Sequence, residues 1–486
     1  MKAFRSCCSS WRLVAIYLFV SVHLVQANPP NVLFISIDDL NDWTGSYGGH
    51  PQAITPALDA LAKRGVQFNN AQCQAPICNP SRASMFTGLL PSTTGIYFMG
   101  SDFRSVDRTR KAETMFQYFH RNGYDLSTRG KIFHGRMSEV DQASFDENSP
   151  AKRGAPWPKV KLSYDKPNTS KLWDWGAWYE KDSDVKDYLT AEWAAEKFQK
   201  LAEQDKPFFM ALGFSLPHVP LYVPQKWFDL YPLESLKLPE TMDGDMDDIS
   251  KYAVHLFQSG VAPRHSWLLE NDEWKHAVQA YLACTSFVDH CVGEALKGLE
   301  KSGLAENTII VAWGDHGFHL GEKERWAKRS LWEESARVPL IIAGPGLQKN
   351  ALCDRPVGLI DIYPTLVDYC GLKKKEGLEG ISIVPLLKNT QREWERPALT
   401  TFGPNNHAIR SEHWRYIQYD DGSKELYDHR KDSNEWENLA ADPQYENVIA
   451  DLVKWLPRVN VPPAPGSSGS GTALYPDMKG TRKKAK

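Results

Sequence analysis

The stretch NVLFISIDD, Asn31 to Asp39, decides how this chain is read. Its first seven residues are short of polar groups, rich in β-branched side chains and unalternated, the pattern of a strand buried on both faces of a parallel sheet. It ends abruptly in two acids, Asp38 and Asp39. The same shape recurs downstream. PFFMALGF (Pro207 to Phe214) runs into Ser215, Leu216, Pro217 and His218, and NTIIVAW (Asn307 to Trp313) runs into Gly314, Asp315, His316 and Gly317. VPLIIAGPG (Val338 to Gly346) reads as another central strand, and helical patterns such as TPALDALAKRG (Thr55 to Gly65) and the run from Trp274 to Ser302 lie between. Strands alternating with helices predict a doubly wound, mostly parallel α/β sheet, whose ligand site lies beyond the carboxyl ends of the strands.

Working outward, the 486 residues carry 42% hydrophobic and 24% charged side chains and a net charge of -3, so no global basic field argues for nucleic acid. At the N-terminus Lys2, Arg5 and Arg12 lead into LVAIYLFVSVHLV, followed by Val25, Gln26 and Ala27. Residues 1–27 therefore read as a secretory signal, too short in its apolar run for a stable membrane anchor, and the protein is expected to be periplasmic or secreted. Residues 28–380 read as a catalytic domain and 381–460 as a smaller C-terminal α+β subdomain. There Ala408 to His429 predicts a hairpin around Asp421 and Gly422, and a helix is expected near Gln444 to Leu456. Residues 461–486, with their Gly/Ser run, are expected to be a disordered tail. Asp146 to Trp173 and Tyr231 to Glu273 read as insertions or lids. Six cysteines follow the signal. That is too few for a disulfide framework, though one or two bridges stay open, and Cys284 and Cys291 lie too far apart along one helix to bridge.

Three groups of residues carry chemistry. Adjacent carboxylates at a buried strand end need water or a cation, so Asp38 and Asp39 facing Asp315 and His316 suit a hard divalent ion. Cys78 sits in QAPICNPSRASMFTG (Gln74 to Gly88), where Asn79 could cap a helix starting at Pro80 and aim its free N–H groups at an oxyanion. Arg82 in the first turn offers a charged fork. A bare thiol, half a disulfide or a packed core cysteine stay open from these residues alone. The third group is cationic or can become so: Lys131 and His134 in RGKIFHG, His218 in SLPHVP and Lys328 in RWAKRS, which together suggest a site for a multiply charged anion.

Cys78-Asn79-Pro80-Ser81-Arg82, followed by Thr87-Gly88, resembles the C-x-P-S-R…T-G signature of the type I sulfatases, which share the alkaline-phosphatase-like α/β fold. With the upstream strand ending in two Asp and the downstream strand ending in Asp-His-Gly, the resemblance extends from about residue 31 to about residue 460. Within the family it looks most like the iduronate 2-sulfatase branch, on the K-x-x-H spacing of Lys131 and His134, the PHVP around His218 and GEKERWAKRS around Lys328. It implies that Cys78 is oxidised by a formylglycine-generating maturation enzyme to an aldehyde, whose geminal diol attacks sulfur and forms a sulfo-enzyme intermediate that expels sulfate. It implies one Ca²⁺ on Asp38, Asp39, Asp315, His316 and residue 78. Lys131, Lys328 and Arg82 would offset charge on the sulfate and the diol, His134 would be a base and His218 the acid for the leaving oxygen. His316 stands where many sulfatases carry Asn, and Phe318 replaces a different aromatic of the iduronate branch, which bears on substrate fit.

The expected substrate is a sulfated polysaccharide or its oligosaccharides. Trp173, Trp175, Trp178 and Tyr179 could stack on sugar rings or pack in the core. His407 in GPNNHAIR could reach over the site from the small subdomain or sit at the surface. Two other readings remain open on sequence: a phosphatase or phosphonate monoester hydrolase of the same fold, and a non-catalytic binder of sulfated glycans with Cys78 unmodified.

Overall fold

The computed structural model describes residues 29–149, 154–163, 172–258 and 261–466. The expected signal segment lies outside the described residues. An eight-stranded sheet forms the centre. In chain order its strands are β1 (Asn31–Ile37), β2 (Val66–Phe68), β3 (Asp125–Gly130), β4 (Glu147–Asn148), β5 (Phe208–Phe214), β6 (Thr308–Gly314), β7 (Leu340–Ala343) and β8 (Ala351–Cys353), and across the sheet they run β8-β2-β7-β6-β1-β5-β3-β4. The five strands from β6 to β4 are mutually parallel, whereas β7 is antiparallel to both its neighbours.

The unalternated strands are explained by what covers them. Leu33, Ile35 and Ile37 of β1 face a core built with the helices Pro56–Arg64, Lys186–Leu201 and Trp274–Lys301, while Val32 and Phe34 face a second core with Cys78–Thr87, Met115–Arg121 and Ile362–Tyr369. Both faces are dry, so both sets of side chains must be apolar. This is the expected doubly wound architecture. Among the described residues no helix is long and apolar enough to cross a membrane.

The C-terminal part is a four-stranded antiparallel sheet of Ala398–Thr401, His407–Arg410, Trp414–Gln418 and Lys424–Asp428, followed by a helix over Glu446–Val453. The expected hairpin is three strands rather than two, because the chain turns once more between Arg410 and Trp414. Residues 467–486 of the expected tail lie outside the described residues, and the first six of it are ordered. Residues 461–466 lie against the catalytic part, with Val461 N–H donating to Ser92 O, Ala464 N–H to Gly95 O and Tyr97 Oη to Val461 O. All six cysteines after the N-terminal segment are free and buried, Cys284 and Cys291 on one helix among them.

Candidate active site

Register builds the site. Ile37 of β1 lies opposite Gly314 of β6 and Phe214 of β5, and Gly213 of β5 lies opposite Gly130 of β3. The next residues on those four adjacent strands are Asp38, Asp315, the Ser215 to His218 loop and Lys131. Parallel alignment thus delivers residues nearly 280 positions apart to one sheet end, as Asp39 N–H donating to Asp315 Oδ1 at 3.1 Å across 276 residues shows. The close approach of β3 to β5 depends on glycine. A Cβ on Gly213 would fall 2.2 Å from the backbone of Lys131, so Gly213 is what lets Lys131 turn in over the sheet.

Asp39 adopts a left-handed backbone (φ 63°), tolerable for Asp, and its carbonyl accepts from Tyr281 Oη at 2.7 Å. Lys328 comes from a loop in which Lys323, Glu324, Ala327 and Arg329 all have positive φ. Each such non-glycine residue costs on the order of 1–3 kcal/mol and persists only where contacts hold it. Here they do: Arg329 N–H donates to Pro76 O, Ser330 Oγ lies 2.8 Å from His319 Nε2, and Lys323 Nζ donates to Asp245 Oδ1 at 2.7 Å.

Cys78 is the first residue of the Cys78–Thr87 helix, with Ile77 as the residue before it. This corrects the expected cap: Asn79 lies inside the first turn and its amide donates to Phe98 O and Ser101 O. Pro80 remains within the first turn, where its missing N–H has no partner to lose. The helix closes at Gly88, left-handed at φ 71°. Cys78 Sγ lies 3.2 Å from His316 Nε2 and 3.9 Å from Asp39 Oδ1.

Three carboxylates and three cations balance around it. Arg82 donates Nε to Asp315 at 2.8 Å and Nη2 to Asp38 at 3.1 Å, and its Nη1 bonds the carbonyls of Lys131 and Ile132. Its donors are therefore spent on the carboxylates and the β3 loop, a bracing role rather than the direct charge offset expected for it. Lys131 Nζ pairs with Asp38, and Lys328 Nζ sits on both oxygens of Asp39 at 2.5 and 2.6 Å. Burial alone would raise the Asp38 carboxyl, but Lys131, His218 and Arg82 hold it well below the usual carboxylate range. Burial likewise pushes the Cys78 thiol up, and Lys131 and Lys328 outweigh it and bring it down to about 7. Burial lowers His316, and Asp315 and Cys78 more than reverse this, to about 9.

Ligand atoms of Asp38, Asp39, Cys78 and His218 lie within 4.8 Å of one another, as do those of Cys78, Asp315 and His316. An oxygen-rich set with an ammonium already seated on Asp39 fits a hard divalent cation. His218, between cis peptide bonds at Pro217 and Pro220, has Nδ1 2.7 Å from Val219 O, so Nδ1 carries the proton and Nε2 is left for the pocket. Burial lowers its basicity, against the pull of Asp39. His134 is half-buried, and its Nδ1 has no hydrogen-bond partner.

A cavity of about 240 Å³ opens over these groups, lined by Asp38, Lys131 and His218 at its base and by Trp157, Tyr179 and Lys186 among its walls. The aromatic quartet divides. Trp173 and Trp175 are core residues, Trp178 is exposed with Nε1 bonded to Pro156 O, and Tyr179 lines the cavity. Phe318 is buried and stacked on Tyr281 rather than lining the cavity. His407 is not brought to the site. It is buried in the C-terminal sheet, with Nδ1 on Thr401 and Nε2 on Asn460. Trp157 and Lys186 were missed on sequence. The signal was there for Lys186, a cation opening a helix at the end where the backbone dipole disfavours it.

The family model described as Sulfatase matches residues 30–372. The chain belongs to the sulfatase family. A second model, N-sulphoglucosamine sulphohydrolase, C-terminal, matches residues 321–461. A sulfatase of Formosa agariphila is 42% identical over 449 residues, covering 90% of this chain and 88% of that protein. The iduronate 2-sulfatase of Mus musculus is 32% identical over 342 residues, 65% of this chain and 59% of its own. Among solved structures, a 2-O GAG sulfatase superposes with a TM-score of 0.67 at 23% identity, over 88% of this chain and 91% of its own. The fold is thus the alkaline-phosphatase-like one, and the enzyme is a hydrolase of sulfate esters.

Proposed function

We propose that this sulfatase is exported and removes sulfate esters from a sulfated polysaccharide or its oligosaccharides, with residue 78 acting as formylglycine. The observation that carries the reading is the position of Cys78: buried at a helix start, 3.2 Å from His316, inside a ring of three carboxylates balanced by three cations. A glycan substrate is favoured by the 2-O GAG sulfatase and the iduronate 2-sulfatase that the chain resembles. Export is favoured by the charged, apolar, then small-residue order of residues 1–27.

Asp38, Asp39, Asp315 and His316, with residue 78, would hold Ca²⁺. When bound, the cation supplies Lewis acidity toward a sulfate oxygen, and the hydrated aldehyde supplies an oxygen nucleophile. The remaining work falls to the chain's own side chains. Lys131 and Lys328 turn their ammonium groups toward the sulfate and neutralise charge that grows as the ester bond breaks. Arg82 fixes the orientation of Asp38 and Asp315. His218, with its Nδ1–H tied to Val219 O, gives a proton from Nε2 to the leaving sugar oxygen in its imidazolium form, which the charge of Asp39 and of the bound sulfate favours, and His134 takes a proton at its unpartnered Nδ1.

Two measurements test the reading together. Mass analysis of the peptide containing residue 78 from active enzyme is expected to show the aldehyde or its hydrate, and a thiol throughout overturns the mechanism. Sulfate release across a panel of sulfated mono- and oligosaccharides is expected to exceed phosphate release from matched phosphate esters. The opposite ratio replaces the sulfatase reading with a phosphoryl one.

A further inference from the structure

The deep cations are all engaged: Arg82, Lys131 and Lys328 are each paired with Asp38, Asp39 or Asp315. Lys186 is the exception. It lines the same cavity, is exposed, and forms no ion pair among the described residues. As the first residue of the Lys186–Leu201 helix it stands where the helix dipole repels a cation, so helix stability does not account for it. The next residue, Asp187, is buried and accepts the N–H groups of Ser215 and Leu216 at 2.8 Å each. The helix start that presents Lys186 is therefore bolted to the loop that carries His218.

Trp157 stands across the same opening. Its side chain lies beside Tyr179 on the cavity wall, and the residue is 51% exposed. A half-exposed tryptophan on a cavity wall suits stacking on a sugar ring. The cavity, at about 240 Å³, is smaller than the roughly 300–1,000 Å³ that takes drug-sized ligands. It has room for the sulfated sugar, and a second sugar of the same chain must lie at the rim, where Trp157 and Lys186 are.

Resting on the sulfatase reading above, we propose that Trp157 and Lys186 form a rim subsite for the sugar next to the sulfated one, and that this neighbour carries its own anionic group, a carboxylate of the uronate kind. Trp157 supplies a stacking face and Lys186 a charge-assisted bond to the carboxylate.

The test uses the full-length Cys78→Ala chain, which binds without turnover and so reads the subsite independently of catalysis. Calorimetric affinities are compared for a hexose sulfate, for a disaccharide joining it to glucuronate in both linkage orders, and for the same disaccharides with the carboxyl reduced to a neutral alcohol. The uronate disaccharide in the productive order is expected to bind about tenfold more tightly than its reduced counterpart. Lys186→Met on this background is expected to erase that difference and Lys186→Arg to retain most of it. Trp157→Ala is expected to weaken both disaccharides relative to the monosaccharide. Equal binding of the uronate and reduced disaccharides, a loss in Lys186→Met that is the same for all probes, or no binding of either disaccharide overturns the subsite. Absence of sulfate release by the unmutated enzyme from every substrate would instead overturn the functional reading.

Discussion

Two buried charge clusters in this protein look alike on paper and differ in use. One is the sheet-end group of Asp38, Asp39 and Asp315 with Arg82, Lys131 and Lys328. The other joins the C-terminal sheet to the main body: Glu333 receives Arg410 at 3.1 Å and also Arg415, whose Nε lies 2.6 Å from Glu435 as a close ion pair off the hydrogen-bond axis, and His429 Nε2 lies 2.9 Å from Glu435. Both bring potential ligand atoms within 4.8 Å of one another, a group of four and a group of three sharing Cys78 in the first and a group of three in the second. The second is sealed and braced with arginines, whose remaining donors go to Leu331 O, Gln72 Oε1 and Ser411 O. The first opens to a cavity, relies on two flexible lysines, holds a cysteine and is fed by a strained loop. A cluster whose acids are held by arginines without lysine marks a joint. Lysines that can let go of their acids mark a site that expects a charged guest.

The largest contrast comes from Cys78→Ala and Arg415→Met. Removing Cys78 is expected to lower kcat/KM by roughly 10⁴-fold or more, because a nucleophile acts as a unit with its surroundings, while the unfolding midpoint changes little. Arg415→Met leaves Glu333 and Glu435 buried with less compensation and is expected to destabilise by about 3–5 kcal/mol in chemical denaturation, with kcat per folded molecule retained. If Cys78→Ala unfolds the protein, or Arg415→Met abolishes kcat at full stability, the contrast between site and joint is wrong.

Metal removal sharpens the comparison at the next level. The first cluster, with three carboxylates around Cys78, should bind Ca²⁺, and the second, with two carboxylates bridged by Arg415, should not. Chelation is expected to abolish activity, and Ca²⁺ at about 100 times its dissociation constant to restore it and add about 2.7 kcal/mol of stability. Asp38→Asn is expected to remove that stabilisation, and Glu435→Gln to leave it in place; a thermal titration of both variants checks this.

The two clusters were also unequally legible. Asp38, Asp39, Asp315 and His316 could be read because each terminates an apolar run, and a doubly wound fold sends such ends to one place. Lys131, His218 and Lys328 followed from the same logic. The bracing by Arg82 was not legible, since which acid a guanidinium meets depends on register across 233 residues. Nor was the joint, where Glu333, Arg410, Arg415 and Glu435 come from a short helix, a sheet and a loop with no periodic or strand-end signal to link them. Aromatic content left the choice open: Trp173 and Trp175 went to the core, whereas Trp157, alone in a proline-rich stretch, reached the rim.

His407 gives the finest discrimination, because sequence left it either over the site or at the surface and the structure buries it in the C-terminal sheet. Burial lowers its basicity to about 4, partly opposed by its bond to Asn460. The folded protein then holds this ring neutral between about pH 4 and pH 6.5, where the unfolded chain takes up a proton, so stability falls as pH drops through that window. Between pH 7 and pH 5 the loss from this one ring is about 2 kcal/mol. His407→Gln keeps a polar group between Thr401 and Asn460 but cannot be protonated. Its unfolding free energy is therefore expected to fall less steeply than the wild type's from pH 7 to pH 5, with KM for sulfated substrates unchanged within about twofold, the noise expected of a residue distant from the site. A raised KM with an unaltered stability profile would return His407 to the substrate and take it out of the fold.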